Sequence, residues 1–190
     1  ISPRQEETMF VPLTIKDHLE RADLVYGNRV GIIDEPNQPA QPMMDMTYGS
    51  FAAKAKAMAK GFEELGVAHQ GRVAMVSHNA SRMLTFLFGT AAWGRIGVPI
   101  NFRLNHEEIS YIIEHSGAEV LIVDPELEDT LKEVKVKHFF CMGRDSDEVL
   151  FKAGEPTPWV PDEDATATIN YTSGTTARPK GVEMLSLIHI

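Results

Sequence analysis

The chain has 190 residues, 43% of them hydrophobic, enough to bury a core as one domain or as part of a larger one. Eighteen Lys+Arg against 27 Asp+Glu leave a net charge of -9, which argues against a nucleic-acid-binding surface. Cys141 is the single cysteine, which excludes an internal disulfide framework and suits the reducing cytoplasm.

The N-terminus is polar and carries acids, which predicts no signal peptide, and no apolar run approaches the roughly 20 residues that span a bilayer. Thr14 can cap a first helix reaching about Val25, with Gly27-Asn28 ending it. Val30 to Asp34 and Met44 to Thr47 flank a Pro/Gln/Asn-rich turn and read as a β-hairpin near the N-terminus. From Tyr48, the residues Phe51, Ala55, Met58, Phe62 and Leu65 recur at helical spacing until Gly66. Arg72 to Ser77 predicts a short buried strand, and Ser81 to Trp93 a largely apolar helix.

Asn105 with Glu108 three residues later forms a capping box, opening a helix that ends at Gly117. Glu119 to Val123 predicts a strand, Glu126 to Val134 a charged helix, and His138 to Met142 another strand. Gly154 to Pro161 reads as an exposed connection, Asp162-Glu163-Asp164 as a solvated acidic turn, and Ala165 to Tyr171 as a strand. Strands alternating with longer helices indicate an α/β fold: a mainly parallel sheet with helices on both faces.

Several residues tempt as chemistry and are better read as structure. The seven histidines are scattered, with no pair at metal-ligand spacing. His78 is favoured for a structural role at a strand end. Asp17/Glu20 and Glu126/Glu128/Asp129 read as helix surface charge, and Cys141, inside Phe139-Phe140-Cys141-Met142, as a core residue. Gly94-x-x-Gly97 lacks the dinucleotide fingerprint, which disfavours a nicotinamide enzyme.

The chemistry concentrates in Tyr171-Thr172-Ser173-Gly174-Thr175-Thr176-Ala177-Arg178-Pro179-Lys180-Gly181-Val182. Thr172, Ser173, Thr175 and Thr176 bring hydroxyls, and Gly174 and Gly181 let the backbone approach an anion closely. Lys180 adds a compact charge with three donors, suited to a polyphosphate. The stretch is not a Walker loop: Pro179 occupies the second glycine's place, and Lys180 is followed by Gly181 instead of a hydroxyl residue. Gly181-Val182 reads as the start of a strand, so the loop lies between two strands.

This string resembles the phosphate-loop signature of the adenylate-forming (AMP-binding) enzymes, among them acyl-CoA synthetases, luciferases and peptide-synthetase adenylation domains. The usual signature has glycine where this chain has Ala177. Gly94 to Leu104, Glu107-Glu108-Ile109, Ile112 to Ala118, Val11 to Thr14 and Gly71 to Ala74 are similar to the N-terminal region of the same family. The resemblance implies that residues 1–184 are the N-terminal part of a large adenylation domain.

It further implies ATP-dependent activation of a carboxylic acid, fatty or related, to an acyl-adenylate, then thioester formation with coenzyme A. Thr172, Ser173, Gly174, Thr175 and Thr176 would wrap the β- and γ-phosphates, with Lys180 as the catalytic cation. Arg178 could face solvent or phosphate. The ligands of Mg2+, the nucleotide and acyl pockets and the C-terminal lysine domain would all lie beyond the chain, so it would be inactive alone. Two alternatives stay open: a non-catalytic phosphate-binding α/β module, and a family member that passes the acyl group to a carrier protein. The tail 185–190 departs from the family pattern. It reads as a translation of a sequencing-library transposon-end adapter, so it is expected to be non-native.

Overall fold

A computed structural model describes residues 13–144, 146–160, 162–172 and 178–186. The fold is organised around β3 (Arg72–Ser77), whose residues after Arg72 are all buried. Its side chains alternate in the period of two that a strand imposes. Val73 and Met75 enter one apolar cluster, Ala74 and Val76 another on the opposite face.

Five further strands complete this sheet: β4 (Ile96–Asn101), β5 (Val120–Val123), β6 (His138–Cys141), β7 (Thr166–Thr172) and β8 (Lys180–Leu185). Their order is β6-β5-β3-β4-β7-β8, and β8 alone runs antiparallel, against β7. The architecture is therefore α/β with a mixed, mostly parallel six-stranded sheet.

Helices cover both faces. α4 (His106–Ser116) packs Ile109, Ile112 and Ile113 on one, beside Leu131 of the short α5 (Glu128–Leu131). α2 (Tyr48–Glu64), α3 (Ser81–Ala91) and α6 (Ser146–Leu150) supply Met58, Phe62, Phe86 and Leu150 to the other. α1 (Ile15–Tyr26) lies outside this layer, where Leu19 joins Phe51, Ala55 and Trp93. A separate two-stranded ribbon, β1 (Val30–Ile32) with β2 (Met46–Thr47), is the expected hairpin with shorter strands.

The helix boundaries follow local chemistry. Asn105 Oδ1 accepts from Glu108 N at 3.0 Å and Glu108 Oε2 accepts from Asn105 N at 2.9 Å, so the capping box opens α4 as expected. Gly117 closes it at φ 67, a left-handed conformation that favours glycine. Asp34 links three segments: its carboxylate accepts from Ser81 N at the start of α3, from Met43 N and from Glu35 N. Burial pushes this carboxyl up, but the donors, Ser81 first, outweigh it and hold it below the ordinary value.

The structure departs from the sequence reading in three places. The charged helix over 126–134 is instead a single 3-10 turn, Pro125–Leu127, and then the four-residue α5. Glu126, Glu128, Asp129 and Glu133 crowd like charge into it, which weakens a longer helix. β4 and α6 are elements the sequence reading does not identify. Gly154 to Val160 is not wholly solvent-facing: Pro156 is buried, and Thr157 N donates to Glu63 Oε2 at 2.6 Å.

Candidate phosphate-binding hairpin

β7 ends and β8 begins in antiparallel register, with Thr172 opposite Lys180, Tyr171 opposite Gly181 and Asn170 opposite Val182. The structure thus brings together two of the residues singled out in the sequence, Thr172 and Lys180, as a facing pair at the loop end of the hairpin. Both are exposed. Ser173, Gly174, Thr175, Thr176 and Ala177 lie outside the described residues.

β7 runs parallel to β4, so its last residue, Thr172, is at the carboxyl edge of the parallel strands. β3 and its two neighbours leave that edge toward opposite faces: β5 and β4 lead to helices on the α4 face, β3 itself to α3. Such a divergence opens the crevice in which open α/β sheets hold ligands.

The feet of the hairpin rest on α4. The Tyr171 hydroxyl is 2.8 Å from His115 Nδ1, and the two rings meet edge to face, 5.8 Å between centroids. Burial raises the Tyr171 phenol above its ordinary value, so the hydroxyl keeps its proton across physiological pH. Arg178 stacks its guanidinium over Tyr111, 5.4 Å from the ring centroid. Sequence reasoning left Arg178 between solvent and phosphate; the structure seats it on an aromatic ring. Gly181 is tight: a Cβ there would stand 3.0 Å from Ile169 Cγ2 and 3.3 Å from Tyr171 Cζ.

Tyr111 and His115 carry no sequence signal of their own, because their meaning depends on α4 lying beneath the hairpin. The nearest signal is their spacing of four, which puts them on one helix face.

A second group lies on the same sheet edge. His78 stacks on Phe102 at 3.7 Å and reaches Glu126 Oε1 at 2.7 Å, while its backbone N–H donates to Asp124 Oδ2 at 2.8 Å. Asp124 is 2% exposed, and burial raises its carboxyl above the ordinary value. These contacts pack His78 at the end of β3. Cys141 is buried, and burial lifts its thiol, which fits packing and not nucleophilic chemistry. Among the described residues there is no group of three or more His, Cys, Asp or Glu placed to hold a metal ion. None of their helices is long and apolar enough to cross a membrane.

The model of the AMP-binding enzyme family matches residues 19–186. The chain belongs to that family. It is 31% identical over 186 residues to 4-hydroxybutyrate-CoA ligase 2 of Metallosphaera sedula, covering 86% of this chain and 32% of that protein. It is 30% identical over 182 residues to a long-chain-fatty-acid-CoA ligase of Thermus thermophilus, covering 90% of this chain and 33% of that one. A solved fatty acyl CoA synthetase of Mycobacterium tuberculosis superposes with a TM-score of 0.75 at 29% identity, over 91% of this chain and 34% of its own. The chain thus spans about a third of the length of the relatives it matches.

Proposed function

We propose that this chain is the N-terminal portion of an acid-thiol ligase, residues 1–184 belonging to its adenylation domain. The complete enzyme activates a carboxylic acid with ATP and passes the acyl group to coenzyme A. A carboxylate oxygen attacks the α-phosphorus of ATP, releasing pyrophosphate and leaving an acyl-adenylate. The coenzyme A thiol then attacks the acyl carbon, forming the thioester and releasing AMP.

The observation that carries this reading is the register of the hairpin, which sets Lys180 opposite Thr172 at the mouth of a Ser-Gly-Thr-Thr loop. Nucleotidyl transfer is catalysed mainly by positioning and by neutralising developing charge. Lys180 would meet the charge that grows on departing pyrophosphate. Thr172 with Ser173, Gly174, Thr175 and Thr176 supplies hydroxyl and amide donors to the β- and γ-phosphates. We assign no Mg2+ ligand to this chain; the metal would be held by residues outside it. The two relatives named above act on acids of different size, so the acid is assigned by class alone, with aliphatic acids preferred. A single buried thiol fits a cytoplasmic enzyme.

We also take residues 185–190 to be non-native. Leu185 closes β8 opposite Thr166, and Ser186 is buried with its N–H donating to Ala165 O, so the first two residues are accommodated whatever their origin. Genomic DNA encoding these six residues followed by a stop codon would contradict that assignment.

The test of function is ATP-pyrophosphate exchange by the complete gene product with a panel of carboxylic acids. Acid-dependent exchange is expected from it and none from residues 1–190 alone. A complete product that binds ATP without acid-dependent exchange would leave a phosphate-binding module. Exchange followed by transfer to a carrier protein and not to coenzyme A would reassign the acceptor.

A further inference from the structure

We propose that Tyr111 and His115 of α4 are positioning residues that clamp both feet of the phosphate hairpin, and through them set where Thr172 and Lys180 stand. The role in nucleotide use rests on the ligase reading above; the clamp itself rests on contacts alone.

Four side chains form one unbroken run. Arg178, on the returning limb, lies over the Tyr111 ring at 5.4 Å. Tyr111 and His115, four residues apart and so stacked on one helix face, have centroids 5.3 Å apart with planes inclined at 33°. His115 meets Tyr171, on the outgoing limb, through the 2.8 Å contact and the edge-to-face packing at 83°. The run therefore starts just ahead of β8, crosses a helix and ends on β7. Each foot is adjacent in sequence or nearly so to the residue it would fix: Tyr171 precedes Thr172, and Arg178 is two residues before Lys180.

The base is firm where the hairpin's mouth is exposed. Ile109, Ile112 and Ile113 lie buried on the core face of α4, the capping box fixes its start and Gly117 its end. Tyr111 and Tyr171 are themselves packed against that core. Gly181 matters to the same device, because the space its missing side chain leaves is shared by Ile169 and the Tyr171 ring. Glu107 and Glu114 line the cleft that Arg178 and Pro179 close, which adds attraction for the guanidinium on the helix side. A guanidinium engaged by the ring is less free to turn to an anion, which suits the assignment of that role to Lys180. Holding both limbs also removes ordering cost at the moment of binding, the usual benefit of preorganisation.

The test compares the complete enzyme with Tyr111→Ala, Tyr111→Phe and His115→Ala by hydrogen exchange and by pyrophosphate exchange. In Tyr111→Ala and His115→Ala, the peptide spanning residues 171–182 should take up deuterium faster, while peptides from β3 and β5 stay as in the parent. The KM for MgATP should rise about two- to fivefold per contact removed, with the KM for the acid unchanged. Tyr111→Phe keeps the ring and should restore the parent values. Hairpin exchange that is unchanged, or that accelerates only together with β3 and β5, overturns the clamp. A parent enzyme with no pyrophosphate exchange overturns the ligase reading, and the deuterium comparison still decides the clamp.

Discussion

Arg82 and Asp147 meet as a fork, Nη1 to Oδ1 at 3.0 Å and Nη2 to Oδ2 at 2.9 Å, and this pair ties the start of α3 to the start of α6. Arg82 is 5% exposed and spends a third donor, Nε, on Gln41 O at 3.0 Å. Asp147 also accepts from Gly143 N at 3.1 Å.

Removing one member strands the other. Asp147→Ala leaves a buried guanidinium half-satisfied and should cost about 2–3 kcal/mol in urea unfolding. The double variant with Arg82→Met should recover part of that loss, because no unpaired charge then remains. A coupling free energy near zero in the four-member cycle would show that the fork contributes nothing.

Glu63 should make stability depend on acid pH. Lys60 Nζ at 2.6 Å and Thr157 N at 2.6 Å hold its carboxyl down from 4.5 to about 2. The unfolded chain takes up this proton near pH 4.5 and the folded chain only near 2. The contribution is therefore complete above that window and lost as pH falls through it. Melting temperatures between pH 6 and 2 should fall less steeply for Glu63→Gln than for the parent; parallel curves would contradict the assignment.

Gly61→Ala pits helix propensity against packing. Alanine is intrinsically the better helix residue by roughly 1 kcal/mol. At this position, however, its Cβ would run into the Leu150 carbonyl, a backbone atom that cannot swing aside. Net destabilisation of about 1–3 kcal/mol is expected from the forced shift of α6 against α2. An unchanged or raised melting temperature would mean the two helices separate at little cost.

In the complete enzyme, Lys180→Ala should cut pyrophosphate exchange about ten- to a hundredfold, the value of one charge-assisted contact of roughly 1.5–3 kcal/mol. The KM for the acid should stay put. Undiminished exchange removes Lys180 from the mechanism. Ala177→Gly, which restores the residue usual in the family, should be nearly silent.

Elements whose signal is local were legible in the sequence. α2 and α4 announce themselves by apolar spacing and by the Asn105/Glu108 box, and β3 and β5 by short apolar runs between polar ends. β4 was not legible, since Gly97 and Pro99 interrupt it. Only its burial between β3 and β7, with Val98 and Ile100 inside the core, makes it a strand. α5 misled in the other direction, because acidic residues suggested a solvated helix longer than the repulsion among them allows. At the hairpin, the residue types of Thr172 and Lys180 and the order strand, loop, strand were readable; the antiparallel register that sets the two face to face was not, because it depends on how β8 pairs with β7. The seat of Arg178 was not readable, because Tyr111 is 67 positions away by the difference of their numbers.

The strand order has a consequence for how the chain assembles during synthesis. Of the main-sheet strands described, β3 emerges first and lies inside the sheet. β4 then finds one free edge of β3, and β5 the other; β6 adds to β5, β7 to β4 and β8 to β7. Each strand leaving the ribosome meets a partner already made, so growth runs outward from a seed in the order of translation. Parallel pairing is slow because its contacts are distant in sequence, and exposed edges invite aggregation while they wait. Among the described strands of the main sheet, none after β3 has to wait for a later one.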